Sequence, residues 1–293
     1  MFTSIKASAI SIKPRKWDKP HNADKLEALV AQAAKERPDL VVTTEGVLEG
    51  YVVMDVLEDP SRTAEMIDIA EPIDGPYIRR FRKLASQLRT CLCLGFAERI
   101  EDEVYNAAVS IDHEGEIRGK YHKTMLAEGT GPNCNFNRVG KALRAFDTPV
   151  GRVGIVICND RWNPMITRTL VLDGAQLILI PSYGSKTSEQ NETVLARARE
   201  NGVPILEANV GMNLIISKGE IVAYKWGNDQ ITTAVVEVPE LSSSKAARML
   251  ESEYLALQGP EMQRRYLEMA KKLRGEPNLH DLAAAGNLII NEP

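Results

Sequence analysis

Short, β-rich apolar runs alternate with longer segments of helical spacing along most of this chain of 293 residues. This alternation is typical of layered α/β proteins, in which helices cover sheets. The predicted strands are SIKASAISI, DLVVTTE, CLCLGFAER, VYNAAVSID, RVGIVICND, QLILIPS, PILEANV, MNLIIS and ITTAVVEV. The predicted helices span residues 22–35, 76–88 and 189–201. We therefore expect sheets that are covered by helices on one face.

One pair of predicted strands argues against a purely parallel sheet. VYNAAVSID and GEIRGKYHK are joined by His113, Glu114 and Gly115, and together they read as an antiparallel hairpin. The sheet should therefore be mixed, which disfavours a simple, doubly wound dinucleotide-binding domain.

Proline and glycine residues are scattered as turn signals, without a linker-like concentration and without an internal repeat. We therefore predict one domain over residues 1–293, in which residues 241–293 form a mainly helical C-terminal extension. Apolar residues recur at helical spacing over residues 241–274, and an apolar tail, DLAAAGNLII, follows. We expect this end to pack against the domain or against a second subunit.

Charge and hydropathy exclude several classes of partner. The formal net charge is -4, and acidic and basic residues are interspersed, so there is no basic face for nucleic acid and no polybasic run for a membrane. The opening MFTSIKASAISIKPRKW lacks a secretion signal, and no later run is long and apolar enough to cross a bilayer. We expect a cytoplasmic protein that binds small molecules and whose four cysteines are reduced.

Three of these cysteines have no predicted chemistry. Cys91 and Cys93 lie in an apolar run as small hydrophobic residues, and Cys134 is a loop thiol with at most an incidental role as a pocket wall. The spacing C-x-C without a nearby histidine is a poor zinc signal, and the four histidines are scattered. We therefore expect no metal.

Cys158 is the candidate nucleophile. It ends the apolar run RVGIVIC and precedes the polar NDRWNP, which places its sulfur at the carboxyl end of a strand, where α/β sheets form ligand crevices. A buried structural cysteine could occupy the same place, so reactivity needs a base and a positive charge nearby. Glu45 ends DLVVTTE, and Lys123 follows the second strand of the hairpin. Each alone would read as a solvated charge, but together they form a candidate site.

With these residues in this order, the chain resembles the nitrilase superfamily, also called carbon–nitrogen hydrolases, over roughly the first four-fifths of its length. The matching residues are Glu45 with Gly50 and Tyr51, Lys123 in a Y-x-K-x-x-L context, and Cys158 in GIVICND. DGAQLILIPS and RARENGVPILEAN look like two further segments of the family. The resemblance implies a four-layer α-β-β-α sandwich with two mixed sheets, assembled as a homodimer or a higher homo-oligomer.

The resemblance also implies a role for each residue. Cys158 would attack a carbon bonded to nitrogen and form a thioester, and Glu45 would act as the general base. Lys123 would stabilise the oxyanion together with the backbone N–H of Asn159. Glu128 is the candidate for a second glutamate that supports the lysine. This chemistry requires no organic cofactor.

The segment CNDRW is similar to one in N-carbamoyl-D-amino acid hydrolases, in which the arginine holds the substrate carboxylate. Arg161 would take this role here, unless it pairs with a nearby acid such as Glu128 or Asp160. Met125 stands where many relatives have histidine, so the polarity of the pocket should differ there. Tyr183 falls where relatives place a pocket-wall residue, although it could equally be a loop aromatic.

The predicted function is a thiol hydrolase that cleaves a non-peptide carbon–nitrogen bond, of the amide or N-carbamoyl amino acid type, through a covalent Cys158 thioester. The first alternative is a true nitrilase with the same triad, since no residue separates nitrile from amide hydrolysis. The second is a catalytically silent binding protein on the same fold, which the intact Glu45, Lys123 and Cys158 argue against. A glutamine-hydrolysing subunit that feeds ammonia to a synthetase is a further variant.

Overall fold

A computed structural model describes residues 2–128, 136–184 and 187–274 of the chain. Its strands are β1 (Phe2–Ser11), β2 (Leu40–Val42), β3 (Cys91–Ile100), β4 (Glu103–Ile111), β5 (Ile117–His122), β6 (Phe146–Thr148), β7 (Gly151–Ile155), β8 (Leu177–Ser182), β9 (Ile205–Asn209), β10 (Met212–Ser217), β11 (Glu220–Trp226) and β12 (Gln230–Pro239). Its α-helices are α1 (Lys19–Ala33), α2 (Val53–Glu58), α3 (Thr63–Ile69), α4 (Pro76–Leu88), α5 (Pro164–Leu172), α6 (Ser188–Asn201) and α7 (Ala246–Arg274). Short 3-10 turns occupy Ala34–Glu36, Pro60–Arg62 and Cys158–Trp162.

The strands form two six-stranded sheets in the described part of the chain. The first has the order β12-β1-β2-β3-β4-β5 and the second the order β11-β10-β9-β8-β7-β6. Strands β1, β2 and β3 are parallel in the first sheet, and β7, β8 and β9 are parallel in the second. The other pairs are antiparallel, including the predicted β4–β5 hairpin. The prediction of mixed sheets is therefore confirmed.

The short strand β2 is covered on both faces, and this explains its apolar sequence. Leu40 and Val42 belong to the large core cluster that joins the two sheets, whereas Val41 packs on the opposite side with residues of α1 and α4. On the second sheet, Leu170 of α5 and Val194 of α6 are fully buried in the large cluster. The layers are thus helices, sheet, sheet and helices, which confirms the predicted four-layer α-β-β-α sandwich.

The three predicted helices are present, and their ends follow from local sequence. Helix α1 starts earlier than predicted because the Asp18 side chain accepts a hydrogen bond from the N–H of His21 and so caps the first turn. Helix α4 has the predicted bounds 76–88, since Pro76 starts it and Arg89, in the left-handed conformation, ends it. The sequence analysis missed α2, α3, α5, β6 and β11.

The C-terminal helix α7 packs on α5 of the same chain. Glu251 of α7 accepts a hydrogen bond from the N–H of Leu143 at 2.7 Å, and Arg248 pairs with Asp173 at 2.5 Å. Of the two predicted contacts for this end, the structure thus shows the one with its own domain. None of the helices in the described ranges is both long and apolar enough to cross a bilayer.

The cysteines outside the candidate site behave as predicted where the structure describes them. Cys91 and Cys93 lie on β3, are buried and are free thiols. Burial raises the pKa of Cys91 to about 11, so this thiol stays protonated near neutral pH. The predictions for Cys134 and for the apolar tail within residues 275–293 lie outside the described residues.

Candidate active site

Strand ends from both sheets bring the three predicted catalytic residues together. Glu45 follows β2 and Lys123 follows β5 in the first sheet, and Cys158 comes shortly after β7 in the second. Their exposed fractions are 0%, 1% and 8%, respectively. Three polar side chains with so little solvent contact cost free energy to bury unless they satisfy one another. The site therefore lies in the interior, where the two sheets meet.

Glu45 receives a donor from each side of this junction. Its Oε1 accepts hydrogen bonds from Lys123 Nζ and from Asn106 Nδ2, each at 2.7 Å, and its Oε2 accepts the N–H of Tyr183 at 2.9 Å. Burial alone would lower the pKa of Lys123, but the nearby acidic groups, Glu45 first among them, outweigh it and raise this pKa. The charged form of Lys123 is therefore favoured beside the carboxylate.

Cys158 begins a 3-10 turn in a strained backbone conformation. Its φ of 45° lies in the left-handed region, which non-glycine residues occupy mostly at special sites. The sulfur donates towards the Tyr183 carbonyl oxygen at 3.7 Å and accepts a hydrogen bond from Arg161 Nη2 at 3.2 Å. Burial and the Glu45 carboxylate raise the pKa of this thiol, while Arg161 and Lys123 act in the opposite direction.

Asp160 fixes the turn that carries Cys158. Its Oδ2 accepts the N–H of Ile157 at 2.8 Å and the hydroxyl of Tyr121 at 2.9 Å, and its Oδ1 accepts the N–H of Met125 at 2.8 Å. Burial raises the pKa of Asp160 to about 6. The same carboxylate thus ties the Cys158 turn to the segment that follows Lys123.

The C-terminal helix reaches this network through one buried tyrosine. Tyr254 of α7 is 0% exposed, and its hydroxyl donates to Thr124 Oγ1 at 2.9 Å. Thr124 Oγ1 in turn lies 3.4 Å from Asp160 Oδ1. The sequence analysis predicted a helix over this segment but gave Tyr254 no role, because no pattern in the sequence indicated this contact with the site.

The two predicted supporting residues lie close to the triad. Glu128 is 3% exposed, and its carboxylate accepts the N–H groups of Phe136 at 2.8 Å and Asn137 at 3.1 Å. Burial raises its pKa, and Lys123 is near enough to oppose this shift. The Asn159 side chain donates to the Met125 carbonyl oxygen at 3.2 Å. The roles of Glu128 behind the lysine and of the Asn159 N–H in an oxyanion site stay predictions.

Arg161 is 1% exposed and is bonded on two sides. Its Nη1 donates to Ser182 Oγ at 3.0 Å and pairs with the Glu207 carboxylate, while its Nη2 faces Cys158. The acid that pairs with Arg161 is therefore Glu207, and not Glu128 or Asp160. Strands β8 and β9 are neighbours, so Ser182 and Glu207 both lie at Nη1 of Arg161. Binding of a substrate carboxylate by Arg161 stays a prediction.

The sequence analysis missed Glu207, although a signal for it exists. It is the charged residue within the apolar run PILEANV, and a charge at the centre of a fully buried strand needs a buried partner. Gln190 of α6 also donates to this carboxylate, at 2.9 Å. Together these contacts hold the Arg161–Glu207 pair against the second sheet.

Tyr183 stacks on another aromatic side chain at the site. Its ring lies 4.6 Å from that of Tyr51, with an angle of 15° between the planes. Burial, and then the Glu45 carboxylate, raise the pKa of Tyr51, so its hydroxyl stays protonated. Both rings are half-buried, as an aromatic wall of a pocket would be.

Glu49 is a second buried carboxyl near Glu45, and its ionisation should affect stability. It is 4% exposed and accepts the N–H of Ala97 at 2.9 Å, and burial raises its pKa to about 7. The folded state therefore binds this proton more tightly than the unfolded state, and the associated stability is lost as the pH rises towards 7. We expect Glu49→Gln to raise the unfolding free energy at about pH 8 by about 1–3 kcal/mol.

Urea unfolding at about pH 5 and pH 8 measures this effect, which should be small at the lower pH because Glu49 is then mostly protonated. Glu253 is exposed, so Glu253→Gln is a control that should leave the pH dependence of stability unchanged. A Glu49→Gln variant with the pH dependence of the parent protein would contradict the prediction.

Comparisons with known proteins agree on one family. The profile of the family described as "Carbon-nitrogen hydrolase" matches residues 6–252. An N-carbamoylputrescine amidase from Oryza sativa subsp. japonica is 28% identical over 247 residues, which are 80% of this chain and 80% of that protein. A citrullinase from Francisella tularensis is 29% identical over 201 residues, which are 64% of this chain and 68% of that protein.

Solved structures agree on the fold. A double mutant of the amidase from Nesterenkonia sp. AN1, in complex with acrylamide, superposes with a TM-score of 0.68 at 21% identity, over 80% of this chain and 90% of that one. The C. elegans NitFhit protein has a TM-score of 0.69 at 20% identity, over 89% of this chain and 65% of that one. At these identities the similarity establishes the four-layer fold.

Proposed function

The chain belongs to the carbon–nitrogen hydrolase family and is thus a hydrolase of carbon–nitrogen bonds, and from this premise we propose that it works through a covalent Cys158 thioester. The observation that carries the proposal is the buried junction at which Glu45, Lys123 and Cys158 meet. It combines a carboxylate, a fixed cation and a thiol, which are the parts that thiol-based acyl transfer requires.

The proposed reaction begins when the sulfur of Cys158 forms a bond to the carbonyl carbon of the substrate. Glu45 accepts the thiol proton, and the carbonyl oxygen becomes an oxyanion beside Lys123 and the N–H of Asn159. Glu45 then gives the proton to the leaving nitrogen as the carbon–nitrogen bond breaks. Water next attacks the thioester, Glu45 takes its proton, and that proton returns to the sulfur as the carbon–sulfur bond breaks.

Two contacts support this division of roles. The raised pKa of Lys123 favours its charged form, which suits a fixed cation and leaves the role of base to Glu45. Glu45 is held by Lys123 and by the N–H of Tyr183, whose carbonyl oxygen faces the thiol. The carboxylate is therefore positioned through the same residue that contacts the nucleophile.

We propose a small ureido compound as the substrate class. The two relatives above are named for N-carbamoylputrescine and citrulline, and both compounds end in a ureido group. Cleavage of this group with one water yields the amine, carbon dioxide and ammonia. Citrulline carries a carboxylate and N-carbamoylputrescine does not, so the pair also tests the predicted contact between Arg161 and a substrate carboxylate.

We expect ammonia and carbon dioxide from at least one of these two compounds, and no turnover of pentanenitrile or pentanamide as chain-length controls. If Arg161 binds the substrate carboxylate, kcat/KM should be at least about 10-fold higher for citrulline than for N-carbamoylputrescine. This is the order of the effect expected from one charge-assisted hydrogen bond. Ammonia with pentanoic acid from the nitrile would instead support the nitrilase alternative. Tight binding without any turnover would support the silent binding protein.

Three further predictions concern the protein as a whole. We propose a homodimer or a higher homo-oligomer, a cytoplasmic location, and no need for a metal or an organic cofactor. The exposed apolar side chains of Trp162, Ile221 and Trp226 support association, since they are 36%, 44% and 52% exposed, respectively. Sedimentation velocity at several protein concentrations measures the assembly.

A further inference from the structure

We propose that Arg161 is a further catalytic residue, which stabilises the thiolate of Cys158 through its own N–H donor. Arg161 lies in the same 3-10 turn as Cys158, so its side chain returns towards the sulfur of its own turn. The distance from Nη2 to Sγ is 3.2 Å, well within the range of a hydrogen bond to sulfur. This role adds to the proposed triad and rests on Cys158 being the nucleophile.

The guanidinium is fixed in this position by its surroundings. Glu207 pairs with Nη1, and Ser182 Oγ accepts from the same nitrogen at 3.0 Å. Gln190 anchors the Glu207 carboxylate at 2.9 Å. Arg161 and Glu207 are 1% and 0% exposed, respectively, so water does not compete for the contact between them in the folded protein. A guanidinium whose Nη1 is held by both a carboxylate and a hydroxyl presents its Nη2 in a defined direction.

Each of the two cations donates a hydrogen bond to a different reacting group. Lys123 donates to Glu45, at 2.7 Å, whereas Arg161 donates to the sulfur. Lys123 therefore holds the base, and Arg161 faces the nucleophile. When the proton leaves the thiol for Glu45, the new negative charge on sulfur meets a donor that is already in place, and no solvent has to reorganise.

The charges that act on the sulfur come from several elements. Glu45 after β2 is negative, Lys123 after β5 is positive, and Asp160 in the same turn is a buried acid with a pKa of about 6. Glu207 on β9 lies behind Arg161. Burial and Glu45 raise the pKa of the thiol, and Arg161 opposes them, followed by Lys123. The loss of Arg161 should therefore make the thiol harder to ionise.

The rate of Cys158 alkylation by iodoacetamide, followed against pH by mass spectrometry, tests the proposal without any substrate. Iodoacetamide is neutral, so it reports the thiolate fraction and not the attraction of a charge. In Arg161→Met we expect the inflection of the profile to move up by at least about one pH unit, with a roughly 10-fold slower reaction below it. Arg161→Lys should recover part of the shift.

Arg161→Met leaves Glu207 buried without its partner, and this variant could fail to fold. The double variant Arg161→Met/Glu207→Met removes both charges together and should still show an upward shift, because the donor to the sulfur is gone. Arg197 is the matched control, because its guanidinium contacts the Arg161 carbonyl oxygen at 3.0 Å and belongs to α6. Arg197→Met should leave the profile unchanged.

An unchanged alkylation profile in a folded Arg161 variant would overturn the proposal. If such a variant only loses its preference for citrulline, Arg161 acts on the substrate and not on the sulfur. The two proposals fail separately. If the parent protein hydrolyses none of the tested compounds but the inflection still moves in Arg161→Met, the thiolate contact stands and the proposed substrate class falls.

Discussion

Replacement of Cys158 by alanine is expected to lower kcat by at least about 10⁴-fold and to leave the fold intact. The sulfur is the group that forms the covalent bond in the proposed reaction, and the remaining carboxylate and lysine cannot replace it. Ammonia release under substrate saturation measures the loss, and the thermal midpoint of unfolding measures the fold. Intact mass after rapid quenching should show an acyl adduct on the parent protein and none on the variant.

Cys93 provides the matched control for this experiment. It is 0% exposed, so Cys93→Ala makes the same chemical change in an equally buried place, and we expect turnover close to that of the parent. Retention of more than about 1% of kcat by Cys158→Ala would indicate direct attack by water on the substrate and would exclude the thioester route.

Lys123→Met should have the second-largest effect, and on two properties. The change leaves Glu45 as a buried carboxylate without its cation, and breaking such a pair costs about 3–5 kcal/mol of unfolding free energy. It also removes the charge beside the oxyanion, for which we expect a fall in kcat of about 10²–10³-fold. Urea unfolding and steady-state kinetics measure the two effects.

A second variant separates the two effects. Glu45→Gln combined with Lys123→Met removes both charges, so most of the lost stability should return, while kcat should fall further because the proposed base is also gone. Lys218→Met is the control, because Lys218 is 61% exposed beside Glu237 and an exposed pair contributes at most about 1 kcal/mol. If Lys123→Met were as stable as this control, the ion pair with Glu45 would not be a buried interaction of the folded protein.

The parts of the fold that were predicted from sequence are those with strong local signals. Strands buried on both faces appear as unbroken apolar runs, so β2 could be recognised from Leu40 to Val42. Because Glu45 and Cys158 stand where such runs end, their placement at strand ends followed directly. The turn residues before β5 indicated the hairpin, and thus the position of Lys123.

Most of the parts that were missed lack such signals, and the charge of Glu207 within its apolar run indicates a buried partner without identifying it. Strand β11 carries Ile221, Val222 and Trp226 as exposed side chains, so its sequence shows no alternation between core and solvent. Glu207 and Tyr254 reach the site from distant parts of the chain. Their contacts depend on which strands and helices become neighbours in the fold, and a periodic pattern along one segment contains no information about that order.

The pairing of β1 with β12 has a consequence for synthesis of the protein. The register joins Phe2 to Pro239, so the outer edge of β1 is covered only after β12, the last strand in the described residues, has been made. Closing so long a loop is slow, and contacts of this range are formed late. A nascent chain on the ribosome should thus present an open strand edge for most of translation, and a protecting chaperone would find its target there.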